Sequence, residues 1–151
     1  MEQQLVESSF HWSSSVECVL IPQDGIERIW PMAASFLEKA TNRTKKIDLD
    51  SLRECADKGL MQIWIAYDPE EDGILSAAAT EIVDYVSGLK SARIMLLGGL
   101  ELNRWREAID TIEQWASDQG CSLIEIVGRR GWGRVYPEYV EIETWFAKEI
   151  G

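Results

Sequence analysis

Ala92-Arg93-Ile94-Met95-Leu96-Leu97-Gly98-Gly99-Leu100-Glu101-Leu102 is the stretch on which the fold turns. Ile94 to Leu97 is apolar on both faces, which predicts a central buried strand over 92–97. Gly98-Gly99 then predicts a turn into the strongest helix of the chain. There Leu102, Trp105, Ile109, Ile112 and Ala116 fall on one stripe, with Arg104, Glu107, Asp110 and Glu113 on other faces. Gly120 stops the helix, and Ser122 to Val127 follows as another strand.

Toward the N-terminus, Met61 to Tyr67 and Ile74 to Tyr85 read as two strands joined by Asp68-Pro69-Glu70-Glu71-Asp72-Gly73, turn chemistry that predicts an antiparallel hairpin. Before them, Val16 to Ile21 reads as a first strand. Ile26, Ile29, Trp30, Ala33, Phe36, Leu37 and Ala40 make the apolar face of a helix. Pro31 falls inside that helix and predicts a kink or a new start there. A second helix carries Leu49, Leu52 and Ala56, capped by Asp48 or Asp50 and ended by Gly59. Residues 1–15 read as a tail, serine-rich around Phe10, His11 and Trp12, and 16–151 as a single domain. Beyond the 122–127 strand come Gly128-Arg129-Arg130-Gly131, a short helix from Trp132 to Tyr136, and a last strand from Val140 to Ile150. The order predicts a mixed α/β domain, one layer of sheet covered by helices.

Lys and Arg number 15 against 26 Asp and Glu, a net charge of −11. Such a field repels phosphates and anionic membrane surfaces, so neither nucleic acid nor membrane is expected as a partner. It also opposes an anionic cofactor unless the pocket supplies its own positive potential. Three cysteines without a Cys-x-x-Cys pair, and one histidine, point to no disulfide framework and no metal site. A cytoplasmic setting follows by default, with no signal peptide and no apolar run long enough to span a bilayer.

The most distinctive polar feature is Gly128-Arg129-Arg130-Gly131-Trp132. Two adjacent guanidinium groups at the carboxyl end of a buried strand suit an anion. Equally, one Arg pairs with an acidic neighbour while Trp132 fills the core. The acidic 68–72 linker lacks the spacing of a calcium loop and reads as a solvated turn.

Trp115-Ala116, Gly120-Cys121 and Ile124-Glu125-Ile126-Val127-Gly128-Arg129-Arg130-Gly131-Trp132, together with Gly59-Leu60-Met61-Gln62-Ile63-Trp64 and Thr80-Glu81-Ile82, resemble GNAT-like proteins encoded by tailed bacteriophages. The element order from Val16 onward is similar to the GNAT acyltransferase fold: a mostly antiparallel central sheet with helices on both faces. The resemblance implies an N-acyltransferase using acetyl-CoA on an amine acceptor, located in the host cytoplasm or in the virion. It implies that backbone amides from Leu97, Gly98, Gly99 and Leu100 hold the cofactor, with charge from Arg104, Arg129 and Arg130. Tyr136 matches the tyrosine that protonates the leaving thiolate, and Glu81 and Glu125 are the carboxylates available as general base. The phosphate loop of the family, Gln/Arg-x-x-Gly-x-Gly/Ala, is here Leu97-Gly98-Gly99-Leu100-Glu101-Leu102, shorter and with an acid inside it. The alternative is a non-catalytic protein on the same scaffold, a virion component or a binder of a host protein. The family usually has one more strand than is found here, so an open sheet edge is expected to be available for a partner or for self-association.

Overall fold

The computed structural model of the chain describes residues 15–151. The expected tail, with Phe10, His11 and Trp12, lies outside the described residues apart from Ser15. Five strands form one sheet in chain order: β1 (Glu17–Leu20), β2 (Gln62–Tyr67), β3 (Ser76–Asp84), β4 (Lys90–Gly99) and β5 (Leu123–Ile126). The first three pairings are antiparallel and the last, β4 with β5, is parallel. A parallel pair needs a crossover, and the helical segment between Leu102 and Asp118 supplies it.

Helices α1 (Ile26–Thr41) and α2 (Leu49–Asp57) cover one face. Their buried Ile26, Ala33, Leu37, Leu52 and Ala56 pack on Ile63, Ile65, Ala77, Ala79 and Leu96. The alanines of β3 keep the sheet surface flat enough for α1 to lie close. The other face carries Trp64, Ala78 and Ile94 against Ile109, Ile112 and Tyr136. Helices on both faces of a mostly antiparallel sheet are what the resemblance to the GNAT fold implies. Asp48 is the residue that caps α2, its carboxylate accepting from the Ser51 N–H at 2.8 Å while Ser51 Oγ accepts from the Asp48 N–H.

Four expectations change. Pro31 neither kinks nor restarts α1, which runs unbroken from Ile26 to Thr41. The ring removes one donor, and burial of a full apolar face on β3 and β4 outweighs that loss. Gly98 and Gly99 do not turn the chain; they are the last two residues of β4, facing Ala77 and Ser76. A Cβ on Gly98 would stand 2.7 Å from the Phe36 carbonyl oxygen, and one on Gly99 2.5 Å from that of Leu75. The glycines are there because α1 and β3 approach so closely. The turn falls to Leu100 and Glu101, and Glu101 adopts φ 54°, a left-handed conformation uncommon outside glycine.

The helix expected from Leu102 onward is broken into α3 (Leu102–Trp105), a 3₁₀ turn (Arg106–Ala108) and α4 (Ile109–Asp118). Trp105 is buried against Ala66 and Leu75, and its indole N–H donates to the Leu100 carbonyl at 2.8 Å. Seating that ring distorts the helix at Trp105, where ψ is 2°. Finally, α5 (Trp132–Val135) forms as expected, whereas the strand expected over Val140–Ile150 does not. Apolar and acidic residues alternate over 140–143, but among the described residues the segment forms no ladder, although it lines a groove with β5.

Candidate active site

β5 pairs with β4 only from Ser91 to Ile94. The Val127 N–H donating to the Ile94 carbonyl at 2.9 Å closes that ladder. Beyond it the two parallel strands part: β4 continues to Gly99 while the other chain turns away at Gly128. Met95 stands at the parting as the extra residue of a β-bulge, since Ala79 faces Leu96 and Thr80 faces Ile94. The upper half of β4 is thus bonded to β3 alone. Because the Leu100 N–H donates to the Leu75 carbonyl on the β3 side, strand alternation directs the N–H groups of Leu97 and Gly99 to the open edge. No signal in the sequence marked the bulge; Met95 looks there like any apolar strand residue.

The two candidate bases are brought together. On the α1–α2 face, Arg93 lies between Glu81 on β3 and Glu125 on β5, its cross-strand neighbours. Its guanidinium is 3.4 Å from Glu81 and 3.5 Å from Glu125. Ser91 Oγ and the Tyr85 hydroxyl also donate to Glu125, at 2.7 and 2.9 Å, and Arg93 donates to Tyr85 at 2.7 Å. Burial opposes the Arg93 charge, but the hydrogen bond to Tyr85 and the charges of Glu125 and Glu81 outweigh it and hold its pKa above the ordinary value. These five side chains occupy the sheet just below the bulge. Tyr85, Ser91 and Arg93 were not singled out from sequence, because strand partners far apart in the chain have no common motif.

Tyr136 sits on the opposite face of the sheet. It is 6% exposed, stacks on Trp132 with ring centroids 6.2 Å apart, and donates to the Arg106 carbonyl at 2.8 Å. Burial pushes its phenol up to about 12. With Trp64, Ile94 and Leu97 it lines a cavity of about 20 Å³ beneath the parting strands. Cys18 lines the same cavity, and burial raises its thiol to about 12, so it carries no thiolate reactivity.

The three arginines divide. Arg104 is held by carboxylates on every side: Asp68 at 2.8 Å, Glu71 at 2.9 Å and Glu101 at 3.4 Å. Arg130 pairs with Glu141 at 3.3 Å. Arg129 and Arg130 line a groove of about 570 Å³ beside the outer edge of β5, together with Leu123, Tyr139 and Ile142. Among the described residues no cluster of His, Cys, Asp and Glu could hold a metal ion, and no helix is long and apolar enough to cross a membrane.

No family model matches the chain, and no curated protein matches it. Solved structures do. An aminoglycoside acetyltransferase, meta-AAC0020, from an uncultured soil metagenomic sample superposes with a TM-score of 0.65 at 12% identity, covering 91% of this chain and 98% of that one. A predicted acetyltransferase with acetyl-CoA from Clostridium acetobutylicum gives 0.60 at 15% identity, over 90% and 96% of the two chains. A GNAT family acetyltransferase from Staphylococcus aureus gives 0.61 at 12% identity, over 90% and 99%. Identities this low establish architecture: the chain has the fold of the GNAT acetyltransferases.

Proposed function

We propose that the protein is a GNAT-type N-acyltransferase that uses acetyl-CoA on an amine acceptor. The observation carrying this reading is the parting of β4 from β5 at the Met95 bulge, which leaves the Leu97 and Gly99 amides on an open strand edge. When bound, acetyl-CoA supplies an activated acyl group, and an extended arm laid on that edge is matched by backbone hydrogen bonds. Leu97 to Leu100 would hold and orient it. Arg104, already engaged by three carboxylates, is poorly placed to meet the pyrophosphate, and Arg130 is paired with Glu141, so that charge falls first to Arg129. Glu125 and Glu81 serve as acceptors for the amine proton, with Arg93 and Tyr85 fixing their orientation. Tyr136 would be the proton source for the departing thiolate once its hydroxyl leaves the Arg106 carbonyl.

A second reading has its own observations. Glu101 stands at the start of α3, and Arg104 is neutralised beside it, both unfavourable to a pyrophosphate. They favour a non-catalytic GNAT-fold protein, a virion component or host-protein binder if the chain is phage-encoded.

A thermal unfolding scan with and without acetyl-CoA separates the two. Ligand at about a hundred times its dissociation constant adds ~2.7 kcal/mol, which for a domain of this size raises the midpoint by about 5 to 10 °C. A rise supports the cofactor reading, and Glu125→Gln and Tyr136→Phe should then lower turnover while the fold is kept. No shift under saturating cofactor removes the acyltransferase and leaves the binding protein.

A further inference from the structure

Above the bulge, β4 runs from Met95 to Gly99 with no strand on its outer side among the described residues. At ~3.3 Å per residue that free edge is about 13 Å long. Its far end is surrounded by acid. The 68–73 turn carries Asp68, Glu70, Glu71 and Asp72, and Glu101 stands at the start of α3. The pairing of Gly99 with Ser76, and the Leu100 N–H on the Leu75 carbonyl, put turn and loop at the same end of the sheet. Arg104 joins them, engaged by Asp68, Glu71 and Glu101. Arg106 donates to the Val135 carbonyl at 2.9 Å, and Arg130 pairs with Glu141. Arg129 remains, exposed and just past Gly128, where the chain turns away from β4. That is the opposite end of the free edge from Glu101.

We infer that the acyl donor is recognised through its pantetheine part alone, so that the fitting donor is an acyl-pantetheine thioester without the nucleotide diphosphate of coenzyme A. The inference rests on the acyltransferase reading and divides the cofactor into a part that fits and a part that does not. Pantetheine is uncharged, and its amide groups suit the Leu97 and Gly99 N–H groups on the free edge. With the thioester at the parting beside Met95, an extended pantetheine runs up that edge and ends near Leu100 and Glu101. There the phosphates of coenzyme A would meet five carboxylates and one guanidinium already shared by three of them. Phosphate recognition needs guanidinium or ammonium groups free to pair. Arg129 at the other end of the edge does not answer that charge, because solvated charges separated by more than about 10 Å are largely screened. The net charge of −11 acts in the same direction, opposing the approach of any polyanion. A neutral thioester incurs neither cost.

The test is isothermal titration of the full chain with S-acetyl-pantetheine and with acetyl-CoA. Acetyl-pantetheine should bind at least as tightly as acetyl-CoA at physiological salt. Raising the salt should tighten acetyl-CoA, because it screens like charges, and leave acetyl-pantetheine unmoved. Glu101→Gln changes an exposed side chain and should tighten acetyl-CoA by about two- to fivefold, with no effect on acetyl-pantetheine. An acetyl-CoA affinity above that of acetyl-pantetheine, or one that weakens with salt, overturns the inference and leaves the acyltransferase reading in place. A Glu101→Gln variant that shifts both thioesters equally has altered the loop rather than its charge, and overturns it as well. Binding of neither thioester removes the acyltransferase reading and this inference with it.

Discussion

Of the segments with strand-like sequences, Ile74–Tyr85 and Val140–Ile150 meet opposite fates. The first becomes β3, paired to β2 on one side and β4 on the other, with Ala77 and Ala79 at 1% and 0% exposure. The second stays without regular structure, its aromatic residues in solvent. Composition does not separate them; neighbours do. β3 has β2 beside it along Ser76–Thr80 and β4 beside it along its whole length, whereas the second segment, the C-terminal arm, lines a groove with β5 and forms no ladder there. A strand is a property of the pair, and an apolar pattern does not by itself specify one.

The sharpest way to break that comparison is to remove buried volume from the body and exposed volume from the arm. Ile63→Ala, at 0% exposure, should cost ~3 kcal/mol of unfolding free energy in urea. Phe146→Ala should change it by less than about 0.5 kcal/mol in a single chain, and a larger loss would mean that the arm is covered.

Next in size is the close approach at the end of β4. Gly99→Ala places a methyl 2.5 Å from the Leu75 carbonyl oxygen, and such overpacking should cost ~2 kcal/mol by the same measurement. A neutral result would show that β3 and β4 separate easily there.

Tyr136→Phe deletes the bond to the Arg106 carbonyl and should cost ~1 kcal/mol, whatever its effect on turnover. Its pH dependence sharpens the point. Tyr136 keeps its proton up to about 12 in the folded chain against an ordinary 10.0. The folded state therefore holds more protons than the unfolded one in that window, and stability must fall as pH rises from about 10 toward about 12. Cys18, raised from 9.0 to about 12 by burial, adds to the same loss. Absorbance titration of the phenols should show Tyr136 ionising late, and the Phe variant should lose part of the alkaline slope.

The smallest effect is a gain. Glu101→Gly relieves a left-handed non-glycine residue and should add ~0.5 kcal/mol, part of the relief being offset by the freer unfolded chain. Under the acyltransferase reading the same change removes an acid from the start of α3 and should tighten acetyl-CoA binding. Unchanged affinity would place the cofactor elsewhere.

Much of the body was legible because local signals there agree. The 3.6-residue stripe of α1, the Asp48 cap, the 68–73 turn and the apolar run of β4 each point to the element that forms. Legibility failed where contacts from distant parts of the chain take over. Gly98-Gly99 reads as a turn, yet these residues are glycines because Phe36 and Leu75 crowd them. The stripe from Leu102 to Ala116 reads as one helix, yet seating Trp105 against Ala66 and Leu75 breaks it. The candidate site divides in the same way. Glu81, Glu125 and Tyr136 were visible as residue types on the right elements. Only the sheet register shows that the two carboxylates share Arg93, and that Tyr136 lies on the other face.

The sequence by itself determined a mixed α/β chain, the antiparallel hairpin, the two covering helices and an acidic surface, since these rest on periodicity, turn chemistry and charge. Tertiary structure alone decided that β4 and β5 run parallel and then part at Met95, that Arg104 is bound by three carboxylates, and that the arm stays unpaired. The physical reason is the same for all three. Each depends on hydrogen bonds and ion pairs between residues far apart in the chain, and such partners become neighbours only when the sheet has formed.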